Sequence, residues 1–349
     1  MKTMIMAGGT GGHVFPALAV AAELRARGHE IVWMGAPDSF ESRTVPKHGI
    51  AMEFIRVGGL RGKGVMKLVT APLALLRALW QALGALRRQQ PDVVLGMGGF
   101  AAGPGGIAAW LTRRPLVIHD QNAVAGFTNR VLALFARRVL EAFPKTFAGA
   151  QTVGNPVRDS IALLPAPEAR FAGRTGPLRV LLIGGSQGSR ALNERMPEAL
   201  ALMRERPQVR HQAGRTLEIA QAAYARAGVQ AEVIAFIDDM AAAYTWADLV
   251  VCRAGASTIA ELAAAGCAAL LVPFPAAVDD HQTKNGEYLV NAGGALLIQE
   301  RDLTAERLAQ TLMELNDRAR LVTMAQAARK AAWPNATKVI ADVLLKEAA

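Results

Sequence analysis

Short runs of apolar residues alternate with longer amphipathic stretches along most of the chain. In the first half the runs are TMIMA (3–7), EIVWM (30–34), DVVLG (92–96), PLVIH (115–119) and RVLEA (138–142). Runs this short and this apolar predict strands buried on both faces. The helical patterns between them predict a parallel sheet covered on either side. The alternation lapses over VRDSIALLPAPEARFAGRTGP (157–177), where Pro, Gly and charge predict a connection between domains. It restarts with RVLLIGGSQGSRALNERMPEAL, which repeats the opening strand, glycine-rich turn and helix. Further runs follow at EVIAF (232–236), DLVVC (248–252), AALLVP (268–273) and ALLI (295–298). The expected class is α/β: two doubly wound, Rossmann-like domains facing a cleft, with ligands at the carboxyl ends of the strands.

Composition agrees and narrows the partners. A chain of 349 residues, 52% hydrophobic, can fill two cores. Cys252 and Cys267 lie in apolar segments and read as buried free thiols, so a reducing cytoplasm fits. Residues 1–7 lack the long apolar region of a secretory signal. The most apolar long segment, Val65 to Leu86, is interrupted by Lys67, Pro72 and Arg77 and should not cross a bilayer. Charge is uneven: residues 1–150 hold 18 Lys and Arg against 8 Asp and Glu, and the remainder holds 21 of each. A basic first domain calls for an anionic partner, whether nucleic acid, acidic membrane or phosphorylated substrate. Aromatics are only 5% and are not interleaved with the cations, and no helix-turn-helix, zinc-finger or RNA-recognition signature is present. That counts against nucleic acid.

The candidate chemistry begins at GGTGG (8–12), which ends a strand and opens a helix. Glycine lets backbone N–H groups approach an anion, and a helix N-terminus adds about half a positive charge. The turn suits a phosphate or diphosphate, or simply packs helix on sheet. It matches neither a Walker A loop nor a clear GxGxxG fingerprint. GMGGFAAGPGG (96–106) in the same domain and GGSQGSR (184–190) in the second are further strand–helix turns, so two phosphate-bearing ligands are expected. At the edge of the first turn stands His13, with Pro16 just beyond it near the first helical turn. The positive end of the helix opposes an imidazolium there, which favours a neutral ring able to take a proton from a hydroxyl. Capping of the helix is the alternative.

In the second domain CRAGASTIAELAAAG (252–266) reads as strand, small-residue turn and helix. Ala256, Ser257 and Thr258 would present donors to a diphosphate. Glu261, expected on the first helical turn, is either a helix-start residue or a carboxylate accepting two ribose hydroxyls. PFPAAVDDHQTKN (273–285) offers His281 and Gln282 to sugar hydroxyls. Asp279 and Asp280 lie beside them, but no second acid cluster supports a metal site.

Across AGGTGGHVFPALAVA, GLRGKG, PDVVLGMGGF–GPGG, HDQNAVAG–TN, VGNPVR, GGSQGSR, FIDDMAAAY and CRAGASTIAE the chain resembles the MurG family of glycosyltransferases. Two departures are local: HDQN stands where the family usually has HEQN, and PFPAAVDDHQ is about one residue longer. The resemblance implies a GT-B fold and inverting transfer of N-acetylglucosamine. The donor would be UDP-N-acetylglucosamine and the acceptor the 4-hydroxyl of undecaprenyl-diphospho-N-acetylmuramoyl-pentapeptide. No cofactor is implied, since the nucleotide sugar is a substrate. Transfer to another lipid acceptor, or non-catalytic sensing of a nucleotide sugar, are the competing readings.

Carried over by position, the resemblance makes His13 the base. It places the donor on Thr10, Gly11, Gly12, Asn122, Arg158, Ser186, Ile237, Ala256, Ser257, Thr258, Ile259, Ala260, Glu261 and Gln282. Ile237 would read uracil through its backbone, Glu261 the ribose, and Gln282 the sugar. The acceptor diphosphate would meet Gly11, Gly12, Gly98, Gly99 and Gly103. The domains implied are 1–157 joined by a returning helix, 334–349, and 158–333. The acceptor's lipid tail implies a peripheral protein on the cytoplasmic face of the bacterial inner membrane, near cell-wall and division proteins. The face expected to meet anionic lipid comprises Lys63, Lys67, Leu76, Leu79 and Trp80, preceded by Arg61 and accompanied by Leu83, with Leu75 and Leu86 widening the stripe.

Overall fold

A computed structural model describes the backbone of residues 1–57 and 65–349, and the side chains of these except residues 65–71 and Val278. Arg61, Lys63 and the Lys67 side chain therefore lie outside the described residues. The chain forms two compact units, Met1–Val157 with Trp333–Ala349, and Arg158–Ala332.

The first unit runs β1 (Lys2–Met6), α1 (Gly11–Ala26), β2 (Glu30–Gly35), α2 (Phe40–Thr44), β3 (Ala51–Phe54), α3 (Val65–Gln89), β4 (Val93–Gly96), α4 (Ala102–Leu111), β5 (Leu116–Asp120), α5 (Phe127–Leu132), β6 (Arg138–Glu141) and β7 (Gln151–Thr152). Its strands form one parallel sheet in the order β3-β2-β1-β4-β5-β6-β7. Met4, Ile5 and Met6 are wholly buried because both faces of the sheet are covered. Val14, Val20 and Leu24 join the core on one face, while Ala82, Leu86, Ala108 and Leu132 pack on the other.

The second unit runs α6 (Asp159–Ala162), α7 (Pro167–Phe171), β8 (Arg179–Ile183), α8 (Arg190–Leu202), β9 (Gln208–Gln212), α9 (Leu217–Ala227), β10 (Glu232–Ile234), α10 (Met240–Trp246), β11 (Leu249–Cys252), α11 (Ala256–Ala265), β12 (Ala269–Leu271), α12 (His281–Asn291), β13 (Ala295–Leu297), α13 (Ala305–Glu314) and α14 (Arg318–Lys330). Its parallel sheet has the order β10-β9-β8-β11-β12-β13. Cys252 and Cys267 are buried free thiols in this unit.

The last helix, α15 (Ala336–Ala348), belongs to the first unit. Ile340, Ala341 and Leu344 are fully buried in the same core as Val20 and Leu24. At its end the buried Glu347 pairs with Arg137 at 2.5 Å and Arg138 at 2.6 Å.

Three strands go beyond the apolar-run reading: the edge strands β3 and β7, and β9, which carries QVRHQ into the sheet. Residues 157–177 are also not a mere connection. They fold into α6 and α7, bury Ile161 and Phe171, and send Arg170 to the carbonyls of Tyr244 (3.0 Å) and Ala265 (2.8 Å). The apolar residues in this Pro-rich stretch are too few to show a period, yet Ile161 and Phe171 are buried, while Leu163 stays exposed. Pro16 lies inside α1 rather than near its first turn.

Candidate active site

Three turns of the first unit meet at the carboxyl ends of β1, β4 and β5. After β1 the chain passes through Gly9 (φ +89°) to Thr10, whose carbonyl accepts from the N–H groups of His13 and Val14 at 3.2 Å. His13 is the third residue of α1. The buried Glu41 carboxylate accepts from the N–H groups of Gly9 (3.0 Å) and Ala36 (3.1 Å). Part of the glycine loop is thus served by the chain's own anion, Glu41.

The turn after β4 lies directly on the first. A Cβ on Gly98 (φ +94°) would stand 3.0 Å from His13 Nδ1, and one on Gly99 (φ +88°) would stand 2.5 Å from the Gly8 carbonyl oxygen. Only glycine allows this approach. The rest of GMGGFAAGPGG is helix, not turn: Gly103 is in the first turn of α4. Gly105 and Gly106 are packing residues, since a Cβ at either would strike Met6 Sδ or Leu132 Cδ2.

His119 and Asp120 end β5, and Gln121 and Asn122 follow it. His13 Nδ1 is 2.7 Å from Gln121 Oε1, Gln121 Nε2 is 3.1 Å from His119 Nδ1, and His119 Nε2 is 2.9 Å from the Gly154 carbonyl oxygen. Burial pushes the His119 ring down to about 4, with Asp120 opposing part of the shift. The Asp120 carboxylate accepts from the N–H groups of Asn122 and Gly126 and from Asn129 Nδ2, each at 3.0 Å. It shapes the loop that carries Asn122.

In the second unit the expected residues also line the carboxyl ends of strands. Ser186 is exposed on the turn after β8, which Gln212 holds by accepting from Gly185 N–H at 3.0 Å and donating to Gly185 O at 3.1 Å. Ile237 follows β10. Ala256, Ser257 and Thr258 form the first turn of α11, at the positive end of its dipole. Glu261 is one turn further along, and α11 has no acidic residue in its first turn, which removes the helix-start reading of that carboxylate. Its Oε2 accepts from Tyr244 Oη at 3.0 Å and its Oε1 from Arg158 Nη2 at 3.1 Å. Burial raises the Glu261 carboxyl above its ordinary range, with Arg158 and Tyr244 offsetting part of the shift. Asp279 and Asp280 take left-handed conformations (φ +53° and +50°) in the loop before α12. Gln282 Oε1 accepts from Phe274 N–H at 2.9 Å, so the group Gln282 can offer a sugar is its amide donor.

Residues 3–141 match the N-terminal domain of glycosyltransferase family 28, and residues 179–340 match its C-terminal domain. The chain belongs to glycosyltransferase family 28. It is 57% identical over 355 residues to the UDP-N-acetylglucosamine--N-acetylmuramyl-(pentapeptide) pyrophosphoryl-undecaprenol N-acetylglucosamine transferase of Marinobacter nauticus, covering 99% of this chain and 98% of that protein. Its identity to the protein of the same description from Alkalilimnicola ehrlichii is 56%, covering 100% of this chain and 99% of that one. Among solved structures it is similar to Acinetobacter baumannii MurG, with a TM-score of 0.88 and 43% identity over 99% of each chain. The glycotransferase of kitacinnamycin shares the GT-B fold at a TM-score of 0.72 and 18% identity.

Within this family 28 chain, the structure adds residues that motif spacing alone does not single out. Tyr244 ends FIDDMAAAY and reads as one more core aromatic until its hydroxyl is seen on Glu261. Gln121 and His119 sit in the quoted HDQN, but only their hydrogen bonds tie them to His13. Asp120 has a structural assignment. Asp120→Ala removes the acceptor of three hydrogen bonds, two of them from backbone, and should cost about 2–4 kcal/mol after partial compensation. A thermal or urea melt with the parent's midpoint would show that Asp120 does not anchor the loop.

Proposed function

We propose that this chain moves N-acetylglucosamine from UDP-N-acetylglucosamine to the 4-hydroxyl of undecaprenyl-diphospho-N-acetylmuramoyl-pentapeptide, with inversion at the transferred carbon. The observation that carries this reading is the full-length 57% identity to a transferase whose name states that donor and acceptor. The acceptor hydroxyl oxygen attacks C1 of the sugar, the bond from C1 to the diphosphate oxygen breaks, and UDP leaves with the bonding pair. His13 takes the hydroxyl proton. A positioned base supplies about 10²–10⁴-fold.

On the donor side Glu261 accepts the ribose hydroxyls, the Ile237 backbone reads uracil, and Gln282 reads the sugar. Arg158, Ser186 and the run Ala256 to Ala260 meet the diphosphate, where the dipole of α11 favours the charge that develops on UDP. Thr10, Gly11, Gly12 and Asn122 contribute from the first unit. The acceptor diphosphate is assigned to Gly11, Gly12, Gly98, Gly99 and Gly103. Label from UDP-[14C]-N-acetylglucosamine should pass to the lipid-linked acceptor, and failure to do so with fresh protein and acceptor would end this assignment.

The first unit is further proposed to dock on the cytoplasmic face of the inner membrane. No helix among the described residues is long and apolar enough to cross a membrane. α3 instead exposes Leu73 (69%), Leu75, Leu76 and Trp80 (70%), together with Arg77. Leu79 and Leu83 pack against the core and Leu86 is buried within it, which takes Leu79 out of the expected membrane face. The exposed residues are more apolar surface than a helix needs in water. Tryptophan suits the headgroup level, and nearby cations add about 1 kcal/mol each on anionic lipid. Reversible attachment is expected. Vesicle binding should require anionic lipid and fall with salt. Leu76→Ser combined with Trp80→Ser should reduce it while leaving transfer to a short soluble acceptor intact. Unchanged vesicle binding by this pair would show that α3 is not the docking face.

A further inference from the structure

In the donor and acceptor roles assigned above, HDQN and VGNPVR contribute only Asn122 and Arg158, yet the two motifs meet behind His13. Gly154 and Asn155 come from VGNPVR. A Cβ on Gly154 (φ +80°) would stand 2.1 Å from Trp333 Cβ, so the chain here is pinned in a place open only to glycine. Asn155 Nδ2 donates to the Gln121 carbonyl at 2.9 Å, which fixes the backbone of HDQN against the same segment.

From this anchor the donor and acceptor roles follow one another without choice. The Gly154 carbonyl can only accept, so His119 Nε2, 2.9 Å away, carries the proton of a buried neutral ring. His119 Nδ1 is then a bare acceptor. Gln121 Nε2 stands 3.1 Å from it and 3.2 Å from the His119 carbonyl oxygen, two acceptors that only an amide nitrogen can satisfy. The partners thus set the orientation of the amide. Gln121 Oε1 therefore faces His13 Nδ1 at 2.7 Å, and an amide oxygen can only accept. His13 must hold its proton on Nδ1. The charged groups nearby are committed elsewhere: Asp120 to its own loop, Glu41 to Gly9 and Ala36.

We propose that Gln121 and His119 are positioning residues that set the tautomer of His13: a neutral relay from the Gly154 carbonyl that keeps the proton on His13 Nδ1 and presents Nε2 as the base. The proposal rests on the reading of His13 as the base. It assigns an uncharged amide to the place where other enzymes use a carboxylate behind a catalytic histidine. Such an amide orients the ring and selects its tautomer without adding negative charge to the site.

The test combines spectroscopy with kinetics on the full-length protein. With 15N-labelled histidine, the His13 signal of the parent should show Nδ1 protonated and Nε2 bare in the neutral ring. Gln121→Met keeps the volume and removes both hydrogen-bonding groups. It should move His13 toward the other tautomer and lower kcat about ten- to a hundredfold, with donor and acceptor KM within about threefold of the parent. A parent His13 protonated on Nε2 overturns the relay whatever the variant does. So does a Gln121→Met enzyme with parental kcat beside an inactive His13→Ala enzyme. Parental turnover by His13→Ala would instead overturn the base reading. The parent spectrum needs no variant, so a poorly folding Gln121→Met does not shield the proposal.

Discussion

His13→Ala should bind UDP-N-acetylglucosamine as the parent does and lose transfer by about 10²–10⁴-fold. That is about 3–5 kcal/mol of transition-state stabilisation, at 1.36 kcal/mol for each factor of ten. The two observables separate because the proton His13 takes belongs to the acceptor, whereas the donor's nucleotide is assigned to the second unit. Little stability is at stake. The ring is only part-buried, and the side-chain hydrogen bond it makes is to Gln121. Donor affinity by calorimetry and transfer by radiolabel should therefore diverge. Near-parental turnover would return His13 to the role of a helix-end residue.

Glu261 carries the second large effect. In the structure its two oxygens accept from Tyr244 and Arg158, so the carboxylate is held in place before any nucleotide arrives. Charge-assisted hydrogen bonds are worth about 1.5–3 kcal/mol each before compensation. Losing two from the ribose should raise the donor KM about ten- to a hundredfold in Glu261→Ala, with the acceptor KM little changed. Glu261→Gln separates function from folding. Burial raises the Glu261 carboxyl in the folded protein, so folding favours its protonated form. That contribution is complete below the unfolded-state value and is lost as pH rises through the folded one. At pH 7–8 the glutamine variant should therefore melt no lower than the parent while still binding donor more weakly. A variant that melts lower but keeps the parental donor KM would make Glu261 a structural residue.

The sheets were legible because β1, β4, β5, β8 and β11 are buried on both faces and so are written as apolar runs with polar residues only at their ends. β9 was not, because QVRHQ puts polar side chains inside. His211 is accommodated by Asn193 Oδ1 at 2.9 Å and Tyr224 Oη at 3.2 Å, and such pairings join residues distant in sequence. The edge strands β3 and β7 are too short and too polar to declare themselves. At the site, the turn glycines and His13 could be read from order and residue type alone. Which glycines turn and which pack could not: Gly98 and Gly105 look alike in the sequence, and only the neighbours of a hypothetical Cβ tell them apart. Tyr244, Gln121 and His119 were hidden for the same reason as His211, since their roles are defined by partners and not by spacing.

The return of α15 has a consequence for how the protein is made. Most of the first unit is synthesised before the second, but Ile340, Ala341 and Leu344 of its core emerge more than 180 residues after β7. At about 5–20 residues per second that is a wait of roughly 10–40 s. Throughout it, the apolar groove on α1 beside Val20 and Leu24 has no helix to cover it. The second unit is continuous and faces no such delay, so the half started first is the half completed last. The basic half that carries His13 thus acquires its full core only once α15 has been synthesised.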